Sequence, residues 1–197
     1  VSLNGFVVYC IYCGLTYFIP FLNKIYMLPA TAVGMYGIVN QYGLKMIGGP
    51  VGGFMSDKVH KSAAKHIRVG FVVCIVAMAV FLMIPHEALG QKGMWMLGAV
   101  CTLTFGAIVF TMRAVFFAPM DEVKVPREIT GAAMSMASLI IYLPNTFAYV
   151  MYGNFLDRFP GMTGFRIVFS VMIGWAVVGV GVSTFLIRRI KKHQKNA

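Results

Sequence analysis

Long apolar runs separated by short polar stretches set the pattern of this chain. A bilayer core takes about 20 apolar residues per helix, and six such runs can be read, at 3–22, 31–55, 69–85, 94–118, 130–155 and 165–187. Turn residues and charges collect in the connections 23–30, 56–68, 86–93, 119–129 and 156–164, and a basic tail occupies 188–197. No linker or low-complexity stretch interrupts the series. The pattern predicts an all-α polytopic membrane bundle of six transmembrane helices, one domain over 1–187.

Polar residues are distributed unevenly among the six runs. The third and sixth are nearly free of them, as lipid-facing helices should be. In the fifth, Ser135, Ser138, Tyr142, Asn145, Thr146, Tyr149, Tyr152 and Gly153 fall within about 120° at 100° per residue. The second carries Gly37, Gln41, Lys45, Gly48 and Gly52 on one narrow face, and the first carries Tyr9, Tyr12, Cys13, Thr16 and Pro20. Small residues on such faces let helix backbones approach. The stripe with Tyr142, Asn145 and Tyr149 has more hydrogen-bonding capacity than packing requires, which points to a wet cavity. Pro20, Pro50 and Pro144 each remove a backbone hydrogen bond inside a polar run and permit bending there. Bent, Gly-interrupted helices around a polar site suit an alternating-access carrier.

Composition agrees with the bilayer as solvent. Hydrophobic residues are 59% of the 197, and charged residues are 12%, roughly half the usual ~25%. The net charge of +11 would suit a nucleic-acid partner, but the basic residues sit in short loops between apolar runs, where they set topology and meet anionic lipid. Nucleic acid is therefore not expected. One side holds Lys58, Lys61, Lys65, Arg68, Lys124, Arg127, Arg188, Arg189, Lys191, Lys192 and Lys195; the other holds only Lys24, Lys92, Arg158 and Arg166. The bias places the first set, and both termini, in the cytoplasm of a bacterial inner membrane. The first residues lack an initiator Met, a basic leader and a signal peptide, the start expected of a processed or partial chain. Cys10, Cys13, Cys74 and Cys101 lie inside apolar runs and read as small buried hydrophobes.

Two cations fall within spans. Lys45 lies about 21 Å below the start of its helix and about 15 Å above its end, too deep to snorkel. A central Lys costs about 2.5–3.5 kcal/mol even on lenient scales, which marks it as functional. Arg113 is only about 9 Å from Pro119 and can reach the interface. The six carboxylates, Asp57, Glu87, Asp121, Glu122, Glu128 and Asp157, all sit in loops or at span ends, as do the four histidines. The counter-charge is then either an anionic solute or a carboxylate of a partner, with proton coupling there. Together these features give a candidate substrate-binding set of Lys45, Gln41, Tyr9, Tyr12, Tyr142, Asn145, Tyr149 and Arg113. No HExxH, intramembrane carboxylate pair or nucleophile–histidine arrangement is visible, so no enzyme, metal or cofactor is expected. A pore or a structural membrane protein is the remaining rival class.

Gly53-Phe-Met-Ser-Asp57-Lys58-Val-His-Lys61 ends the second run, and Gly153-Asn-Phe-Leu-Asp157-Arg158 ends the fifth. The same pattern at helix ends of opposite direction, three spans apart, is what an inverted three-plus-three repeat leaves. The first copy resembles the signature loop G-x-x-x-D-R/K-x-G-R/K of the major facilitator superfamily, matched at Asp57, Lys58 and Lys61 with His60 in the usual glycine position. Arg113-Ala-Val-Phe-Phe, Glu122, Pro126, Gly131 and Ile141-Tyr142-Leu143-Pro144-Asn145 resemble the corresponding part of bacterial facilitators. The resemblance implies the carboxy-terminal six-helix half of a twelve-helix fold, partnered by an amino-terminal half or a second copy. It also implies that the first, second, fourth and fifth spans line a transport path, with Asp57, Lys58 and Lys61 as a gate. Asp57 can in addition cap the orphan N–H groups of a neighbouring helix start, a contact able to form in one conformation and break in another. The function expected is secondary active transport of a small polar solute, an organic or phosphorylated anion, by alternating access. The alternatives are a proton-coupled symporter or an efflux carrier of the same superfamily.

Overall fold

The computed structural model describes residues 1–25, 27–83 and 91–196, with the side chains of 91–95, 127 and 193–196 excepted. His86, Glu87 and the side chains of Lys92, Arg127 and Lys195 thus lie outside the described set. Every regular element in it is helical: α1 (Ser2–Leu15), α2 (Phe18–Lys24), α3 (Ala30–Ile38), α4 (Leu44–Phe54), α5 (Ala63–Met83), α6 (Gln91–Ala114), α7 (Pro119–Glu122), α8 (Arg127–Tyr142), α9 (Pro144–Arg158) and α10 (Met162–Asn196). Two π-helical turns, Val39–Gly43 and Met55–Val59, flank α4.

The prolines explain where the expected spans bend. Pro20 offers no N–H to the Thr16 carbonyl and its ring crowds that carbonyl; α1 stops at Leu15 and α2 restarts at Phe18. At Pro144 the fifth span divides the same way, with proline as the first residue of α9, the position where its missing N–H costs nothing. Pro50 lies inside α4, and the two π turns bracket it. The second span is therefore helical but interrupted. Five other stretches are long and apolar enough to cross a membrane: Ser2–Lys24, Ala63–Met83, Met96–Ala114, Glu128–Arg158 and Met162–Lys192. Six spans are therefore not shown: among the described residues five stretches qualify, and 31–55, interrupted by the π turn, is not one of them.

α1 sits at the centre, packed by α6, α8, α9 and α10, with Val7, Val8, Cys10, Ile11, Cys13 and Leu15 buried. Contacting pairs give the relative directions. Asn4 meets Ser183 and Gly14 meets Met172, so α1 and α10 run antiparallel. Tyr36 bonds Thr102 and Gly52 meets Thr111, so the second span runs parallel to α6. α5 exposes Val69, Val72, Val73, Val76 and Val80 along one face, while Phe71, Cys74, Met78 and Phe81 on its other face are buried. All four cysteines are free, three of them buried.

The inverted repeat is not shown. A Cβ at Gly53 would meet nothing within 4 Å, whereas one at Gly153 would lie 3.4 Å from the Tyr17 hydroxyl. The two matching patterns stand in different surroundings.

Candidate functional site

A cleft of about 900 Å³ opens between α1, α2, α3, α4 and α9. It runs from Asn23 and Ala30, where α2 turns into α3, inward to Tyr12, Lys45 and Tyr149, with Thr16 and Gln41 on its walls. Its shape follows from the helix breaks. The chain breaks between α1 and α2 just before Pro20, and the π turn at Val39–Gly43 inserts one extra residue per turn, displacing Gln41 and Tyr42 relative to a regular helix. Lys45 follows that turn directly. Its ammonium is exposed into the cleft and has neither a hydrogen-bond nor an ion-pair partner among the described residues.

Beyond Tyr12, towards the basic end, lies an aromatic cluster around Arg113. The guanidinium carbon stands 4.0 Å from the Tyr12 ring centroid and 5.3 Å from that of Tyr9. Tyr9 in turn packs against Tyr12 at 5.1 Å and edge-on against Tyr142 at 4.9 Å. Cation–π contact with two rings fixes the plane of the guanidinium in a poorly hydrated place. One of its nitrogens, Nη1, is buried without a hydrogen-bond partner. None of the described carboxylates pairs with it.

Four of the expected binding residues, Lys45, Gln41, Tyr12 and Tyr149, line the cleft. Tyr9, Tyr142 and Arg113 form the cluster beneath its floor, and Asn145 accepts a long contact from the Cys13 thiol at 3.6 Å. The stripe expected along the fifth span is not of one kind: Ser135, Tyr142, Asn145 and Thr146 are exposed and Tyr152 is buried. Ser135 and Ser138 bond carbonyls of their own helix, Gly131 and Met134, and Tyr152 is fully buried, donating to the Cys10 carbonyl at 3.0 Å. Of that stripe, only Tyr149 reaches the cleft. The reason is the break at Leu143: 100° per residue holds within a helix but not across an interruption.

At the basic end, Asp57, Lys58 and Lys61 are exposed, and among the described residues Asp57 has no partner. The capping role expected of it belongs to Glu122. That carboxylate accepts from the Ser62 hydroxyl at 2.9 Å, from the Ala63 N–H, and from the Ala64 N–H at 3.4 Å. Ser62 itself receives the Lys65 N–H at 3.3 Å, so α5 begins on a local cap reinforced by a carboxylate sixty residues away. Replacing Glu122 with Ala should lower stability by about 1–2 kcal/mol, the range for a lost N-terminal cap. Asp57→Asn should leave it within about 0.5 kcal/mol. Melting curves of the two variants decide between them; a larger loss for Asp57→Asn would return the cap to Asp57.

Asn40 also escaped the sequence reading. It sits in the π turn, fully buried, with both amide atoms unpartnered and its oxygen against Gly106. An Asn inside an apolar run was a visible signal, but only the π turn decides that it faces α6 while its neighbour Gln41 faces the cleft.

Comparison with known proteins gives the following. No family model matches the chain. It is 50% identical over 195 residues to the inner membrane protein YihN of Escherichia coli and 28% identical over 189 residues to the inner membrane protein YqcE of the same organism. These alignments cover 99% and 94% of this chain but 45% and 43% of the relatives, so the chain spans less than half the length of the curated relatives it matches. The expected membership of the major facilitator superfamily, as its carboxy-terminal half, is overturned here: no family model supports it, and both relatives are described only as inner membrane proteins. With these relatives and its membrane-spanning helices, the chain is an integral, polytopic helical protein of the bacterial inner membrane.

Proposed function

We propose that this bundle forms one wall of the binding site of a secondary carrier for a small polar solute, an organic or phosphorylated anion. The observation that carries the reading is Lys45, a cation without a partner among the described residues, exposed on an open cleft of about 900 Å³ in a chain of apolar helices. A charge so placed is costly unless water or a ligand meets it. Tyr12, Gln41, Thr16 and Tyr149 supply hydroxyl and amide groups that orient a solute without fixing its identity. The cleft extends from Asn23 to Tyr12, and the cluster of Tyr9, Tyr12, Tyr142 and Arg113 lies beyond its Tyr12 end, where the closed side of an alternating-access cycle would stand. The second wall, a partner bundle facing Lys45, belongs to the same proposal.

The test is flux through the protein in proteoliposomes. Uptake of the solute should saturate and be accelerated by unlabelled solute on the opposite side. Counterflow of that kind is the property of a carrier. Single-channel currents without counterflow would make the protein a pore.

A further inference from the structure

A second pocket lies at the basic end, away from the cleft. It has a volume of about 130 Å³ and is bounded by Lys61, Lys65 and Glu122 on the α5 side and by Ile187, Ile190 and Lys191 of α10. Lys61 from the turn before α5, Lys65 of α5 and Lys191 of α10 thus line one small pocket with a single carboxylate. That carboxylate is already committed, since Ser62, Ala63 and Ala64 all donate to Glu122. The three lysines form no ion pair among the described residues. Like charges on facing segments repel, and the helices converge regardless because Ala64, Leu186, Ile187 and Ile190 pack into a small apolar cluster beside them.

The surroundings fix the depth. α5 enters its membrane-spanning stretch at Ala63, and that of α10 ends at Lys192. Just below the lysines, Phe185 is exposed, with the Arg189 guanidinium 5.1 Å over its ring, an arrangement suited to the boundary between headgroups and acyl chains. The pocket therefore offers cations at headgroup depth above an apolar wall at acyl depth.

We propose that this pocket binds a phosphate group, that of an anionic phospholipid headgroup, with Lys61, Lys65 and Lys191 donating to the phosphate oxygens and Ile187 and Ile190 against the glycerol and first acyl carbons. Basic pockets between transmembrane helices recognise headgroups in this way. The bound lipid bridges α5 and α10 and neutralises their mutual repulsion.

The protein in neutral detergent is titrated with phosphatidylglycerol or phosphatidylcholine, bound lipid being read by native mass spectrometry and melting temperature recorded alongside. Phosphatidylglycerol should remain bound and raise the melting temperature, and phosphatidylcholine should do neither. The triple variant Lys61→Gln, Lys65→Gln, Lys191→Gln should bind phosphatidylglycerol at least tenfold more weakly. A control removing the same charge outside the pocket, Lys58→Gln, Lys124→Gln, Lys192→Gln, should bind it within about threefold of the parent. Equal losses in the two triples would overturn the pocket in favour of diffuse surface charge. Inorganic phosphate at millimolar concentration should not displace the lipid; displacement with equal thermal protection would overturn the lipid as the source of the phosphate. If the pocket triple melts far below the parent in lipid-free detergent, Lys191→Gln alone is measured, and unchanged binding by it overturns the proposal.

Discussion

Lys45→Gln abolishes solute binding, and Lys45→Arg keeps part of it. This expected result follows from the geometry of the cleft. The lysine extends from the first turn of α4 into an open space whose other polar groups are neutral, so it supplies the long-range attraction for an anion. Beside low-dielectric helix walls, a single close charge pair is worth more than the same pair in bulk water. Neutralisation should cost about two orders of magnitude in affinity, equivalent to about 2.7 kcal/mol. Arg keeps the charge but replaces a compact ammonium by a planar fork, so its binding should be weakened rather than lost. Stability should move the other way. Lys45 is exposed and has no partner among the described residues, so Gln breaks no pair, and the variant should melt no lower than the parent. Binding of phosphorylated and carboxylated metabolites, measured with melting temperature on all three forms, checks both parts. A Gln variant that melts several degrees lower and still binds a neutral solute would mean that Lys45 pairs with a carboxylate of a facing bundle. A proton-coupled symporter is then the better reading.

Substituting alanine at two adjacent glycines should give opposite outcomes. A Cβ on Gly52 would lie 2.6 Å from the Thr111 carbonyl oxygen and 3.0 Å from the Thr111 Cα, both backbone atoms that cannot swing aside. Gly52→Ala must therefore push α4 away from α6, at a cost of about 1–3 kcal/mol for an overpacked contact. The same separation would widen the cleft beside Lys45, so solute affinity should fall as well. At Gly53 a Cβ meets nothing within 4 Å. Gly53→Ala should be neutral or gain up to about 1 kcal/mol from helix propensity. The melting temperatures of the two variants in one detergent test this directly. Equal losses at both positions would mean that α4 and α6 are not held at the distance seen here. Gly48 and Gly49 form a second such pair, with Phe110 2.8 Å from the first and nothing near the second.

The helical membrane class was legible in the chain because it depends on run length and composition, and five of the six expected spans reappear as continuous or proline-broken helices long enough to cross. The bends at Pro20 and Pro144 were legible too, since a missing N–H acts through neighbours along the chain. So was the isolation of Lys45, because no carboxylate lies within a span. Contacts between distant segments could not be read this way. Along the fifth span Tyr152 is buried while Ser135, Tyr142, Asn145 and Thr146 of the same expected stripe are exposed, because helical phase does not survive the interruption at Leu143. The cap on α5 came from Glu122 rather than Asp57 because a tertiary turn, and not sequence proximity, carries that carboxylate to the Ser62 end. Gly52 and Gly53 are equivalent in composition and differ only in what α6 places opposite them. The Val39–Gly43 turn is the plainest case: propensity does not mark a π turn, yet that one extra residue separates buried Asn40 from Gln41 on the cleft. Periodicity along a single helix reports which residues can share a face, and the packing of other helices decides which face is buried, wet or free.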